Sequence, residues 1–302
     1  MELRHLRYFV AVAEEKNFTR AAERLHIAQP PLSRQIQQLE EDLGVALIEK
    51  GSRPLRLTEA GQFFLAHAKP LLDQVRDLRA MTQRVGQLER TLSIGFVAST
   101  LYGQLPEIVR RYRERHPEVE VTLHEMTTVE QLKALKEGTI DVGFGRLKSE
   151  DPSIRRILLR DERMVVALSR GHRLAGKGAL RLTELVRENL LLYPKAPRPS
   201  FADQVLRVFS EANLVPDHVT EVRELQIAIG LVAAGQGVSV VPESVQGMHR
   251  NVVYSAIEDK HAFSPVLFSV RHMDRSPELE NMLATVYSVY DDLGIAYTRE
   301  SL

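Results

Sequence analysis

Ser33, Arg34, Gln37 and Gln38 fall on one face of a helical stretch that opens at Gln29-Pro30-Pro31 and carries no acid before Glu40. Side chains of these types donate to and accept from base edges and phosphates, and an acid-free helix end can enter a major groove. A second set, Ser99 with Thr100, Thr127 with Thr128, and Arg146, follows three separate apolar runs. Hydroxyls at helix starts beside one cation suit a small carboxylate, because the N–H groups of a helix N-terminus favour anions. On pattern alone two readings of this second set stand. Ser and Thr cap helices everywhere, and Arg146 could pair with a surface acid instead.

The elements that would carry the first set are legible from spacing. Leu3, Leu6, Phe9, Val10 and Ala13 recur at helical intervals and predict a helix ending near Lys16. Thr19 is the expected N-cap of a short helix over Arg20 to Leu25, whose Ala21 and Ala22 allow a close helix crossing. Prolines are tolerated in a first turn, so Gln29-Pro30-Pro31 starts a third helix, which Gly44 closes. Leu32, Ile36, Leu39 and Leu43 form its buried stripe. Leu47 to Glu49 and Leu55 to Leu57 read as short strands around Lys50-Gly51-Ser52-Arg53, a hairpin tip with two cations suited to phosphates or a minor groove. The whole is a helix-turn-helix followed by a wing; the plainer alternative is a trihelical unit with a solvated polar face.

From Thr58 a helical pattern runs to about Leu88, interrupted only by Pro70. Along it Phe64, Ala68, Leu71, Val75, Leu78, Thr82 and Val85 repeat at alternating steps of four and three. That is a coiled-coil seam between two chains, or the buried face of a long helix lying on its own domain. Beyond it strands and helices alternate: strands at Thr91 to Ala98, Glu118 to His124, Ile140 to Phe144, Met164 to Leu168, Leu190 to Tyr193, Val238 to Val241 and Pro265 to Arg271. Helices are expected at Leu105 to His116, Val129 to Glu137, Phe201 to Ala212, Leu225 to Ala234 and Pro277 to Leu293. This predicts two α/β lobes with a largely parallel sheet and a cleft between them.

Composition narrows the function. The 40 basic residues balance 40 acidic ones, so contact with nucleic acid must come from local patterning. The absence of cysteine removes disulfides, thiolate catalysis and thiolate metal sites, and fits a reducing compartment. The ten histidines form no HxH or HExxH pair, no GxSxG elbow or lysine-bearing phosphate loop occurs, and no metal or catalytic site is expected. Gly235-Gln236-Gly237 follows a helix rather than a strand, so it reads as a tight turn. With no signal-peptide pattern and no apolar run long enough to span a bilayer, a cytoplasmic protein without membrane contact is expected. A solute-binding protein would account for the lobes but would need a signal peptide and would leave residues 1 to 88 without a purpose. An enzyme would need a catalytic cluster, and none assembles.

Four motifs carry a family resemblance: Phe18 to Leu25, Gln29 to Ile36, Leu39-Glu40-Glu41-Asp42-Leu43-Gly44, and Leu57-Thr58-Glu59-Ala60-Gly61. They resemble the LysR-type transcriptional regulators. The stretches Ala98 to Tyr102, Glu125 to Thr128, Ile140 to Arg146, Pro197 to Phe201 and Glu224 to Gly235 are similar to the members that govern aromatic-acid breakdown through catechol. The resemblance implies an α+β multidomain chain: a winged helix-turn-helix at 1–58, a linker and dimerisation helix at 59–89, and a two-lobed α/β effector domain at 90–302, similar to periplasmic binding proteins. Lobe I would take 90–161 and 266–302, and lobe II 162–265. It also implies a homo-oligomer, a dimer of dimers, whose partners are double-stranded promoter DNA and RNA polymerase. The expected DNA contacts are Thr19, Gln29, Pro30, Pro31, Ser33, Arg34, Gln37 and Arg53. No cofactor is implied; the effector would be cis,cis-muconate or a similar carboxylate such as chloromuconate or benzoate. Ser99 and Thr128 would hold carboxylate oxygens with Thr100, Leu101 and Arg146 alongside, and Pro199, Phe201 and Ile227 would wall the apolar chain. Arg160 and Glu162 mark a second effector site or, more plainly, a structural ion pair.

Overall fold

Leu6, Phe9, Val12 and Ala13 face inward from α1 (Leu3–Glu15), whereas Leu3 stays exposed. The computed structural model describes residues 1–49, 51–52, 54–85, 90–148 and 151–302, which divide into the units Met1–Gln83 and Arg84–Leu302. In the first unit α2 (Phe18–Leu25) begins two residues before the expected start. Asn17, not Thr19, is its cap: the Asn17 Oδ1 accepts from the backbone N–H of Thr19 at 2.8 Å and of Arg20 at 3.1 Å. A carboxamide oxygen satisfies two otherwise unmet N–H groups, and Thr19 lies inside the helix it was expected to start.

α3 (Gln29–Leu43) has proline in its first turn and ends on Gly44, whose φ of 69° is the left-handed conformation that glycine adopts without strain. Leu32, Ile36 and Leu39 are buried with Phe9, Ala21 and Leu47 in one core. The wing forms as an antiparallel bridge between Ile48 and Leu57, and its tip residues Lys50 and Arg53 lie outside the described residues. Its base is pinned to α3, since Glu40 Oε1 accepts from the backbone N–H of Leu47 at 2.7 Å and of Ile48 at 3.0 Å. Thr58 caps α4 (Glu59–Val85), donating to the Ala46 carbonyl and accepting from the Gly61 N–H. The heptad stripe divides. Phe64 stacks edge-on against Phe9 and Ala68 is buried, but Leu71, Val75 and Leu78 are exposed; the Val85 side chain is outside the described residues.

In the second unit the strands are β1 (Arg90–Phe96), β2 (Val119–Glu125), β3 (Val142–Gly145), β4 (Ile154–Ser169), β5 (Ala179–Leu180), β6 (Asn189–Leu192), β7 (His218–Glu221), β8 (Ser239–Pro242), β9 (Val252–Ile257) and β10 (Phe263–Arg271). The helices are α5 (Leu105–Arg115), α6 (Thr128–Glu137), α7 (Leu182–Leu185), α8 (Phe201–Glu211), α9 (Leu225–Ala233) and α10 (Pro277–Asp292). The main sheet runs β2-β1-β3-β10-β4-β9-β5, with β8 also on β4, while β6 and β7 pair separately. The largely parallel sheet expected from the sequence is not found. β1 is parallel to β2 and β3, but β10 is antiparallel to β3 and β4, and β4 is antiparallel to β8 and β9.

The reason is β4, which begins ten residues before the expected Met164 and passes from one core to another. One core holds Leu92, Ile94, Phe144, Ile157, Leu159 and Phe268; the other holds Met164 to Leu168, Leu190 to Leu192, Phe209 and Val240. β10 returns beside β4 with a bulge between Val266 and Leu267, so two antiparallel strands carry the chain across the interlobe boundary. In the first lobe Arg271, 1% exposed, donates to the carbonyls of Leu135 and Ile140 and pairs with Asp141 and Asp274, fixing the end of α6. Among the described residues no helix is long and apolar enough to cross a membrane.

A Cβ at Gly61 would sit 2.0 Å from the Leu47 carbonyl oxygen, so α4 reaches the wing only because that residue has no side chain. Gly61→Ala should destabilise the first unit by about 3 kcal/mol, the upper end for an overpacked contact, measured by chemical unfolding. Unchanged stability would mean that α4 does not press on the wing in solution.

Candidate functional site

Between the two lobes lies a cavity of about 750 Å³. Its wall includes the first residues of three helices, Thr128 of α6, Phe201 of α8 and Leu225 of α9, each beside its capping residue Thr127, Ser200 or Glu224. Local sequence makes two of these ends. Thr127 and Glu130 form a reciprocal capping box at α6, and Ser200 and Asp203 form another at α8. The N–H groups of a helix start favour an anion, while Glu125, Glu130 and Glu224 in the same wall oppose one.

Arg146 organises the floor. It is 3% exposed, and its guanidinium donates from Nε to Ser99 Oγ at 2.8 Å, from Nη1 to Ser264 Oγ at 3.5 Å and from Nη2 to Glu162 Oε2 at 2.5 Å. Its backbone N–H donates to Thr128 Oγ1 at 3.1 Å. Both cavity hydroxyls therefore act as acceptors toward Arg146, and each has one proton left to donate elsewhere. Its partner is a buried acid rather than a surface one. Burial pushes the Glu162 carboxyl up, but the Arg146 charge, then Arg160, then hydrogen bonds from the Ser244 N–H and Arg146 outweigh it and hold it below the usual carboxylate range. A guanidinium so neutralised is not an open cation for a ligand; the exposed cations of the wall are Lys195 and Arg223.

The structure brings Ser99, Thr128, Arg146, Pro199 and Phe201 together in the cavity wall. It does not bring Thr100, Leu101 or Ile227 there. Thr100 is buried and donates to the Val97 carbonyl, while Leu101 and Ile227 are 39% and 44% exposed. A 3₁₀ turn over Ala98–Tyr102 is the cause: its tight winding leaves only Ala98 and Ser99 of this run in the cavity wall. Arg160, but not Glu162, lines a separate space of about 20 Å³, room for about one water molecule. Here they are an ion pair, 3.5 Å apart, with Arg160 also donating to Gln104. Tyr193, Lys195, Ser200 and Arg223 also line the cavity and were not foreseen; Ser200 had a signal, as a serine three residues before Asp203.

In the first unit Gln29, Pro30, Pro31, Arg34 and Gln37 are exposed along α3, Ser33 is half-buried with Gln29 donating to it, and Thr19 is exposed on α2. The acids at the far end of α3 are partly occupied: Glu40 holds the wing and Asp42 accepts from Gln38. Arg53 lies outside the described residues.

Family profiles match two parts of the chain: "Bacterial regulatory helix-turn-helix protein, lysR family" over residues 3–62 and "LysR substrate binding domain" over residues 86–290. The chain is 49% identical to the HTH-type transcriptional regulator BenM of Acinetobacter baylyi, covering 96% of each. It is also 49% identical to the HTH-type transcriptional regulator CatR of Pseudomonas putida, covering 95% of this chain and 98% of that one. The BenM effector binding domain with its effector benzoate aligns with a TM-score of 0.67 at 43% identity, over 72% of this chain and 99% of that one. Full-length CbnR complexed with its target DNA aligns with a TM-score of 0.61 at 33% identity, over 96% and 100%.

A carboxyl held low in the folded state stabilises above the ordinary carboxylate range, and that contribution disappears as pH falls through the lowered value. Glu162→Gln should cost about 3–5 kcal/mol near neutrality by leaving Arg146 buried without its counter-charge, and should flatten the loss of stability on acidification. Denaturant unfolding across the acid range measures both. An acid limb identical in the two proteins would remove Glu162 from this role.

Proposed function

The chain belongs to the LysR family of transcriptional regulators, and from that premise we propose that it governs genes of aromatic-compound breakdown in response to cis,cis-muconate or a closely related small carboxylate held between its lobes. It is a DNA-binding regulator closely related to BenM and CatR and not an enzyme. The observation that carries the proposal is the double donation from Arg146 to Ser99 Oγ and Thr128 Oγ1. With both oxygens occupied as acceptors, the two hydroxyl protons and the N–H groups at the start of α6 are what an arriving carboxylate meets. Phe201, with the tilted Tyr193 ring centred 5.3 Å away, supplies an apolar wall from the second lobe for a slim carbon chain. The muconate-responsive resemblance and the benzoate bound by BenM both favour an unsaturated or aromatic acid. Benzoate or a chloromuconate remains the alternative within the same chemistry.

For DNA, α3 presents Gln29, Ser33, Arg34 and Gln37 to a major groove, with Thr19 and the wing against phosphates. Leu71, Val75 and Leu78 are the exposed apolar part of α4 and would pair with the same residues of a second chain, extending to a dimer of dimers. RNA polymerase is the partner such a promoter complex would contact, and the site of action is the cytoplasm.

Arg34→Ala should weaken promoter binding by about 1–3 kcal/mol in gel-shift titrations at fixed salt, and an unchanged titration would take Arg34 out of the interface. Thr128→Val should cost muconate about 1.5–3 kcal/mol of binding energy by calorimetry, while DNA affinity without ligand stays the same. Undiminished muconate affinity would refute this placement of the acid.

A further inference from the structure

Arg146 is also reached from the second lobe. Gln204, 5% exposed and one turn into α8, donates from Nε2 to the Arg146 backbone carbonyl, and its Oε1 accepts from Ser264 Oγ at 2.9 Å. Ser264, fully buried on β10, in turn accepts from Arg146 Nη1. The three residues close a ring of hydrogen bonds that contains both the peptide and the guanidinium of Arg146. On the other side of the same residue are Ser99 and Thr128. At the N-terminus of α8, three and four residues before Gln204, Phe201 and Ser200 form part of the cavity wall.

We propose that Gln204 is a positioning residue that ties the ligand wall of the second lobe to the acid-binding hydroxyls of the first, so that the lobes close together when an acid binds. The proposal rests on the reading of the cavity as an acid site. A carboxylate that draws the Ser99 and Thr128 protons toward itself makes both oxygens better acceptors, which strengthens the bonds from Arg146. The Arg146 carbonyl is the point at which that displacement reaches α8, because a buried carboxamide spans the two lobes there. Neither Gln204 nor Ser264 lines the cavity, so neither needs to touch the ligand.

The absence of cysteine makes the test direct. A pair of cysteines introduced at the exposed positions Lys133 on α6 and Glu211 on α8 carries spin labels on the two lobes of the full chain. Distances are measured with and without saturating cis,cis-muconate, and calorimetry reports binding. In the labelled parent, muconate should shorten and narrow the distance distribution. In Gln204→Met, muconate should bind within about tenfold of the parent while the distribution stays at its ligand-free position. Ser264→Ala breaks the ring from β10 and should give the same uncoupling, and the double variant should add nothing further; this arm holds even if Gln204→Met folds poorly. Full closure in either variant, or a parent that binds muconate without closing, would overturn the proposal. A parent that binds no muconate, together with an equally inert Thr128→Val, would instead sink the acid site itself.

Discussion

A buried guanidinium is the constraint on which the second unit is built. Removing an ion from water costs several kcal/mol after relaxation, and the cost is offset only by a counter-charge and a full set of acceptors. For Arg146, Glu162 supplies the charge and one acceptor, and Ser99 and Ser264 accept from its other two nitrogens. Glu162 stands on β4 and Ser264 on β10, the strands that connect the lobes, so the interlobe boundary is where this charge is neutralised. The consequence for ligand chemistry is indirect. The positive charge is spent within the protein, while the Arg146 guanidinium and backbone N–H occupy Ser99 Oγ and Thr128 Oγ1 as acceptors and leave their protons free for a ligand.

The first unit follows from a simpler rule. Burying Leu32, Ile36 and Leu39 against α1 and α2 fixes which face of α3 meets solvent, and that face holds the polar residues able to read DNA. The acid at the far end of the helix is occupied as well, because Glu40 pins the base of the wing. The apolar stripe of α4 serves two purposes in succession. Its first turns complete the core of the unit, and its later residues remain exposed and available to another copy.

Local pattern revealed much of this and missed what depends on distant chain segments. The 4-3-4 stripe and the terminal glycine of α3 were readable because helix period and left-handed closure are properties of a few neighbouring residues. The rule that ligands gather beyond strand ends pointed to Ser99, Thr128 and Arg146, which the fold brings to one cavity wall. Arg160 and Glu162 concealed the first half of β4: charged residues on a strand read as surface until a partner from elsewhere neutralises them. The antiparallel return of β10 was hidden for the same reason, since no short window tells a strand which neighbour it will pair with. Thr100, Leu101 and Ile227 lie outside the cavity wall because direction changes residue by residue within a 3₁₀ turn or a helix, finer than motif similarity can resolve. Asn17 displaced Thr19 as a cap through a difference of two residues, the ordinary error in locating a helix start.

On the reading proposed above, an acid is held by hydroxyls that Arg146 orients while Arg146 itself stays with Glu162. A crystal structure of the full chain with cis,cis-muconate tests it most directly. The expected result is a carboxylate oxygen within about 3 Å of Ser99 Oγ and Thr128 Oγ1, with the Arg146 to Glu162 pair intact. A ligand found outside the interlobe cavity, or an Arg146 that abandons Glu162 to pair with the acid, would contradict it.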